Sequence, residues 1–416
     1  MTETEEQREV TQPADDSIVI VGGGHAGAQL CNALAAAGRA RGVRLVCEEP
    51  ELPYQRPPLS KGFLKDGAEP LQRHRVEAWF AEAGIVVHRT DPAVAIDRKQ
   101  RLVRLRSGTE LPYATLVLAT GARARRLLHL PDGLLNVAAV RSAADAARMR
   151  ELLRACQRVT VVGGGFIGLE IAATARTLGK AVQILESAPR LLARSVSPDV
   201  ADHVLRTHRG HGIDVRVGVT VDGFEVAGER LKSLAVDGVA QDVDLMVQGI
   251  GAIPEHELAT NAGLTCDNGI VVDEHMRTSD PSILAIGDCA NFPEASSGRR
   301  LRLESVQNAH DQARAALATI IGKPQAYAAV PSFWSEQGDL RLQMVGMMPA
   351  ESARHRRHGA TPQSFSVLHY VGERLACVES VNAPMDHMAA RRLLETRRTV
   401  PPELACDSAV PLKQRV

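Results

Sequence analysis

No two of the seven cysteines stand in C-x-x-C spacing, and their number is odd. That fits a reducing, cytoplasmic setting better than a disulfide framework. Net charge is absent too, since 49 basic residues meet 49 acidic ones, so the total gives no pull toward nucleic acid or a membrane surface. No apolar run approaches the length of a membrane-spanning helix, and the N-terminus lacks the basic and apolar regions of a signal peptide. Aromatic residues make up only 3%, which makes each Trp and Tyr more informative than usual. The zero charge conceals a split: residues 1–16 hold six acids and one arginine, a net of −5 that leaves +5 on the rest. This acidic, polar tail is expected to be disordered. With 416 residues and 44% hydrophobic content, the remainder can bury the cores of two or three domains.

The stretch from Ser17 to Glu48 organises the chain. Ser17–Val21 is a short β-branched run that reads as a buried strand, and Gly22, Gly24 and Gly27 follow at G-x-G-x-x-G spacing. An alanine-rich helix runs to Ala37 and is closed by Gly38; a second strand, Val43–Cys47, ends on Glu48. Each piece suits a dinucleotide. Gly22 permits the tight turn, Gly24 lets the backbone approach a pyrophosphate, and Gly27 lets helix and strand pack closely. His25 and Ala26 open the helix, whose N-terminal N–H groups favour phosphate. Glu48, about twenty residues beyond the last glycine, can take ribose hydroxyls.

The pattern then repeats. Val159–Val162 precedes Gly163, Gly165 and Gly168; a helix from Phe166 ends at Gly179, and strand Ala181–Leu185 ends on Glu186. Two such units imply two dinucleotides, the alternative being one copy retained for structure. Leu116–Leu118 reads as a strand running into the small residues Ala119, Thr120 and Gly121, and Asp244–Gly251 echoes it. Ile283–Ile286 leads into Gly287–Asp288, where the carboxylate either accepts from a polyol or serves only the turn. Residues 84–106 suggest a small antiparallel excursion. Ser305 is placed to cap a helix reaching Ile321. Beyond Val330, strands at Phe333–Trp334, Leu340–Val345, Phe365–Tyr370 and Leu375–Val381 and a helix from Met385 to Glu395 indicate a separate α+β unit.

Four segments go beyond generic glycines: Arg56-Pro-Pro-Leu-Ser-Lys61, Glu304-Ser-Val-Gln-Asn-Ala-His-Asp311, Phe333-Trp-Ser-Glu-Gln337 and Val381-Asn-Ala-Pro-Met-Asp386. Through them, over roughly residues 17–400, the chain resembles the FAD- and NADH-dependent ferredoxin reductases of Rieske dioxygenase and bacterial cytochrome P450 systems. The resemblance implies an α/β fold of glutathione reductase-like architecture, with two Rossmann-like dinucleotide-binding domains and a C-terminal α+β domain. The FAD domain would comprise residues 17–124 and 252–330, the NADH domain 125–251 and the C-terminal domain 331–416. It assigns Gly22, Gly24, His25, Ala26, Gly27 and Glu48 to FAD, with Arg56, Lys61, Ala119, Thr120 and Gly121 along the flavin. Asp288 would meet the ribityl chain, and Glu304, Ser305 and Val306 at a helix start would face the pyrimidine edge. Gly163, Gly165, Phe166, Ile167, Gly168 and Gly251 would hold NADH, and Glu186 would favour it over NADPH because a carboxylate repels a 2′-phosphate. Glu170, paired with Lys61, would flank the hydride-transfer point, and Trp334 would lie near the flavin.

The implied activity is electron transfer from NADH through FAD to a [2Fe-2S] ferredoxin bound transiently. No metal site, nucleic acid or membrane partner is expected, and the protein would be a monomer or homodimer. An acidic ferredoxin would be met by arginines, Arg300 and Arg302 foremost. The sequence departs from the family pattern at Ser332, Glu336, Gly338 and Glu255. Alternatives are a rubredoxin reductase, or a redox flavoprotein resembling apoptosis-inducing factor. A thiol-dependent reductase is disfavoured, because residues 49–85 contain no cysteine.

Overall fold

The computed structural model describes residues 17–65, 70–295 and 298–415, so the acidic segment 1–16 lies outside it. The β-branched run Ile18–Val21 is buried throughout and forms the middle of a five-stranded parallel sheet. Arg44–Val46 and then Val86–His88 flank it on one side, Thr115–Leu118 and then Ile283–Ala285 on the other. A strand covered on both faces must be apolar at every position, which is why this run does not alternate. Helices His25–Ala36 and Val306–Ile320 pack together and contribute to the same core.

A second parallel sheet repeats the design around Arg158–Val162, with Ala181–Glu186 and Asp214–Val217 on one side and Leu245–Gln248 and Val137–Ala138 on the other. The third is antiparallel, in the order Ser332–Gln337, Leu340–Gly346, Arg374–Val381, Phe365–Val371, Ala353–His358. Helix Pro384–Glu395 covers it. The α/β class with an appended α+β unit therefore stands as expected.

Three details differ from the sequence reading. Val86–His88 joins the first sheet as a parallel edge strand, and the antiparallel excursion is Ala93–Asp97, Leu102–Leu105 and Glu110–Pro112. Strand Ala353–His358 went unread because its sequence, Ala-Arg-His-Arg-Arg-His, carries charge rather than apolar alternation. Charge suits an edge strand, where it discourages pairing with other chains. Helices Ala143–Ala155 and Pro198–Gly210 were also unread.

One of those edge-strand charges is turned inward. The Arg357 guanidinium is buried, paired with Asp386 at 3.2 Å, and donates to the carbonyls of Ala405, Asp407 and Val410 at 2.9, 2.7 and 2.9 Å. It ties the C-terminal segment to the sheet. Arg357→Leu would leave three carbonyls without this donor and the part-buried Asp386 carboxylate with only the Ser366 hydroxyl, a loss of about 3–5 kcal/mol. Thermal or denaturant unfolding should therefore show marked destabilisation. Arg357→Lys should recover only part of it, because one ammonium cannot reproduce the planar fork.

Candidate functional site

The two glycine motifs take matching conformations. Gly22 and Gly163 sit at φ +118° and +105°, and their N–H groups donate to Val46 and Leu185 at 2.8 Å. A Cβ on Gly22 would lie 2.1 Å from the Ala119 oxygen, and one on Gly163 would lie 2.5 Å from the Gly249 oxygen. Gly27 and Gly168 face the same limit against the carbonyl oxygens of Gly22 and Gly163, at 2.0 and 2.5 Å. Those four glycines are demanded by the protein itself. Gly24 is different: a Cβ there meets nothing nearer than Arg56 Nε at 4.0 Å. The fold leaves that space open, in front of a helix whose N-terminus has no side-chain cap. Gly165 likewise precedes an uncapped helix. Uncapped N–H groups facing an open cradle fit a dinucleotide pyrophosphate.

Both cradles open into one cavity of about 1990 Å³. Its wall also includes Glu48, Arg56, Lys61, Ala119–Gly121, Glu170, Glu186, Gly251, Asp288, Glu304–Val306 and Trp334, so every residue singled out from the sequence along this surface is brought to one space. Gly27 and Gly168 lie behind it, in the helix–strand contacts. Ser305 caps helix Val306–Ile320 by accepting from the Asn308 N–H at 3.1 Å. Phe166 stacks obliquely on Phe333 at 4.5 Å between centroids, and the half-exposed Ile167 lies beside it in sequence.

At the junction of the two halves sits Glu170, only 3% exposed, so it is not a surface glutamate. Its Oε2 accepts from Lys61 Nζ at 2.7 Å and Ser60 Oγ at 2.5 Å, and its Oε1 from Ser335 Oγ at 2.7 Å. Lys61 Nζ also lies 5.2 Å from the Trp334 ring centroid. On the second-motif side, the Glu186 carboxylate is oriented by the N–H groups of Gly164 and Ala188, each at 2.6 Å. Arg190 is committed to the carbonyls of Val196 and Ala193.

Several residues of the cavity were not foreseen. Asp288 pairs with Arg141 at 2.7 Å, and Arg56 donates to the Arg141 carbonyl at 2.6 Å and to Glu49 Oε1 at 2.6 Å. Tyr54 donates to Glu49 and accepts from the Ala143 N–H. The helix that follows Arg141 had a legible start, since Ser142 and Asp145 form a capping box, but nothing local marked Arg141 itself. His25 packs edge-on against His74 at 4.8 Å and lies 6.1 Å from His310. Burial, then the neighbouring His74, His310, Arg56 and Arg141, pull its pKa down to about 3, so it is neutral near pH 7. Cys47 lies against Gly23, its thiol pushed up to about 12 by burial. All seven cysteines are free.

The arginines expected to greet an acidic partner also serve the fold, Arg300 while remaining an exposed residue. Arg300 donates to the Val272 carbonyl at 2.7 Å, and Arg302 to the Asp288 carbonyl at 3.1 Å and to Glu304 at 2.6 Å. They brace the Gly-Asp turn and its surroundings; the sequence could not reveal this, because the acceptors are largely backbone carbonyls.

Residues 16–313 match the family described as pyridine nucleotide-disulphide oxidoreductase, and residues 332–416 match the reductase C-terminal family. The chain is 41% identical to rhodocoxin reductase of Rhodococcus erythropolis over 95% of its length and 93% of the relative's. It is 40% identical to putidaredoxin reductase of Pseudomonas putida, covering 96% and 97%. A crystal structure of a covalent putidaredoxin reductase–putidaredoxin complex superimposes with a TM-score of 0.92 at 38% identity, covering 97% of this chain and 98% of that one.

The different surroundings of Gly22 and Gly24 give a clean test. Gly24→Val should leave the thermal stability of the flavin-free protein near that of flavin-free wild type, while the purified variant loses most of its bound FAD, read from visible absorbance per chain. Gly22→Val should instead unfold the first unit. Full flavin occupancy in Gly24→Val would refute the first cradle as the FAD site.

Proposed function

The chain belongs to the pyridine nucleotide-disulphide oxidoreductase family, and on that premise we propose that it passes electrons from NADH through FAD to a [2Fe-2S] ferredoxin serving a Rieske oxygenase or a cytochrome P450. One observation carries the reading: two equivalent glycine cradles open into a single cavity, with Lys61, Glu170 and Trp334 at the junction between them. FAD, when bound, supplies the chemistry of accepting a hydride's two electrons and releasing them one at a time.

What this chain's residues contribute is binding and alignment. Gly24 and the N-terminus of helix His25–Ala36 would hold the FAD pyrophosphate together with Arg56, which lies beside Gly24 rather than along the flavin as read from the sequence; Arg141 and Asp288 would hold its polyol. The start of helix Val306–Ile320 would face the flavin ring, its dipole favouring negative charge there. Gly165 and the N-terminus of helix Phe166–Thr177 would hold the NADH pyrophosphate. Phe166 and Ile167 would supply an apolar wall for the nicotinamide, and the Lys61–Glu170 pair would keep the two rings in register.

Dithiol chemistry has no support at this junction. Among the described residues the cysteines on the cavity wall are Cys47 and Cys377, both buried, and burial raises the pKa of each. The alternative acceptor is a rubredoxin, which shares the one-electron demand. Purified protein with NADH should reduce a [2Fe-2S] ferredoxin from an oxygenase system with a kcat/KM at least tenfold above that for rubredoxin. The reverse ratio would favour the rubredoxin reductase reading. Failure with both acceptors would contradict electron transfer altogether.

The choice of NADH rests on Glu186. Its carboxylate, fixed by two backbone donors, is suited to accept from ribose hydroxyls and to repel a 2′-phosphate. Wild type should prefer NADH by kcat/KM. Glu186→Arg should shift that preference toward NADPH by about tenfold or more, equivalent to about 1.4 kcal/mol. An unmoved ratio would mean that Glu186 does not face the ribose.

A further inference from the structure

Behind the Lys61–Glu170 pair runs a chain of buried polar side chains. Ser335 Oγ donates to Glu170 Oε1 at 2.7 Å, and Gln337 Nε2 donates to Ser335 Oγ at 3.3 Å. Gln337 Oε1 lies 2.8 Å from His208 Nε2. Ser335, Gln337 and His208 are each at most 1% exposed.

The proton count fixes the direction of every link. A carboxylate oxygen only accepts, so the Ser335 hydroxyl must donate to it and is free to accept from the Gln337 amide. The Gln337 carbonyl then requires a donor, which makes His208 the Nε2–H tautomer. Consistently, His208 Nδ1 is buried and has no partner among the described residues. Burial also holds the pKa of His208 below its ordinary value, so the ring stays neutral near pH 7. The donors therefore run one way, from helix Pro198–Gly210 through strand Ser332–Gln337 to Glu170.

The geometry of the strand explains how it reaches. Phe333, Ser335 and Gln337 are two residues apart and share one face. Phe333 meets Phe166, and Ser335 meets Glu170, four residues further along the helix. Two strand residues advance about 6.6 Å and four helical residues about 6 Å, so strand and helix run nearly in step.

We propose that Ser335 and Gln337, with His208 behind them, are positioning residues that let the C-terminal sheet orient the Glu170 carboxylate toward Lys61. The inference rests on the reading of Glu170 given above. Packing alone would need no donors of one polarity; a carboxylate aimed at one cation does. Among the described residues, the His211–Asp339 pair at 3.5 Å acts on His208, and Glu336, next to Gln337 in the strand, pairs with Arg341 at 3.9 Å.

Gln337→Glu keeps size and shape but makes the link titratable. As an acid, the new side chain still donates to Ser335. Ionised, it cannot, and it adds negative charge toward Glu170. Burial raises a carboxyl pKa from about 4.3, opposed by the His208 N–H that would donate to the ionised form. Anaerobic stopped-flow reduction of the holoenzyme by saturating NADH should be near wild type at low pH. It should fall about tenfold toward pH 8, a transition that wild type lacks.

A second readout uses flavin-free protein: Ser335→Ala and Glu170→Gln should each lower Tm, and the double variant should lose no more than the larger single loss. Additive losses, or a Gln337→Glu profile parallel to wild type while Glu170→Gln is slow, would overturn this inference alone. Wild-type reduction by Glu170→Gln would overturn the reading of Glu170 and this inference with it.

Discussion

A carboxylate removed from water must find donors, and nearly everything at the centre of this protein follows from where Glu170 finds them. Burial without partners would cost several kcal/mol. Its donors come from two distant stretches, Ser60 and Lys61 after the first glycine motif and Ser335 in the C-terminal sheet, and Glu170 itself stands in a third, the helix of the second motif. Satisfying one side chain thus ties three sheets to a single point. That point lies on the wall of the cavity into which both cradles open.

The two parallel sheets solve the same problem twice, with different margins. In both, the first and last motif glycines are set by close backbone approach, to within 2.5 Å of a carbonyl oxygen for any added Cβ. The middle glycine is the one whose small size the fold itself does not require, which leaves that space open. This division explains why a glycine motif is informative only when strand, helix and following acid accompany it. It also separates residues that a folded chain needs from those that binding needs.

The motif-bearing halves were legible in sequence because each step is local: β-branched run, glycines at fixed spacing, helix, strand, acid. The partners of the site were not. Arg141 and Asp288 are 147 residues apart, and Glu170 and Ser335 are 165 apart. No spacing rule pairs such residues; the sheets do. Glu170 and Lys61 were reached through family resemblance rather than periodicity, whereas Ser60, Tyr54 and Arg141 became visible only through their contacts. Helix Ala143–Ala155 had a readable start in Ser142 and Asp145. Strand Ala353–His358 had no signal of the usual kind, since its charges suit an edge and one of them, Arg357, serves as an interior anchor.

Two cradles with separate occupants make a stoichiometric claim. Native mass spectrometry of flavin-free protein, titrated first with FAD and then with NAD+, measures it directly. One FAD and one NAD+ per chain, bound together and neither displacing the other, is the predicted result. A single dinucleotide per chain, or FAD and NAD+ exchanging for the same site, would contradict it.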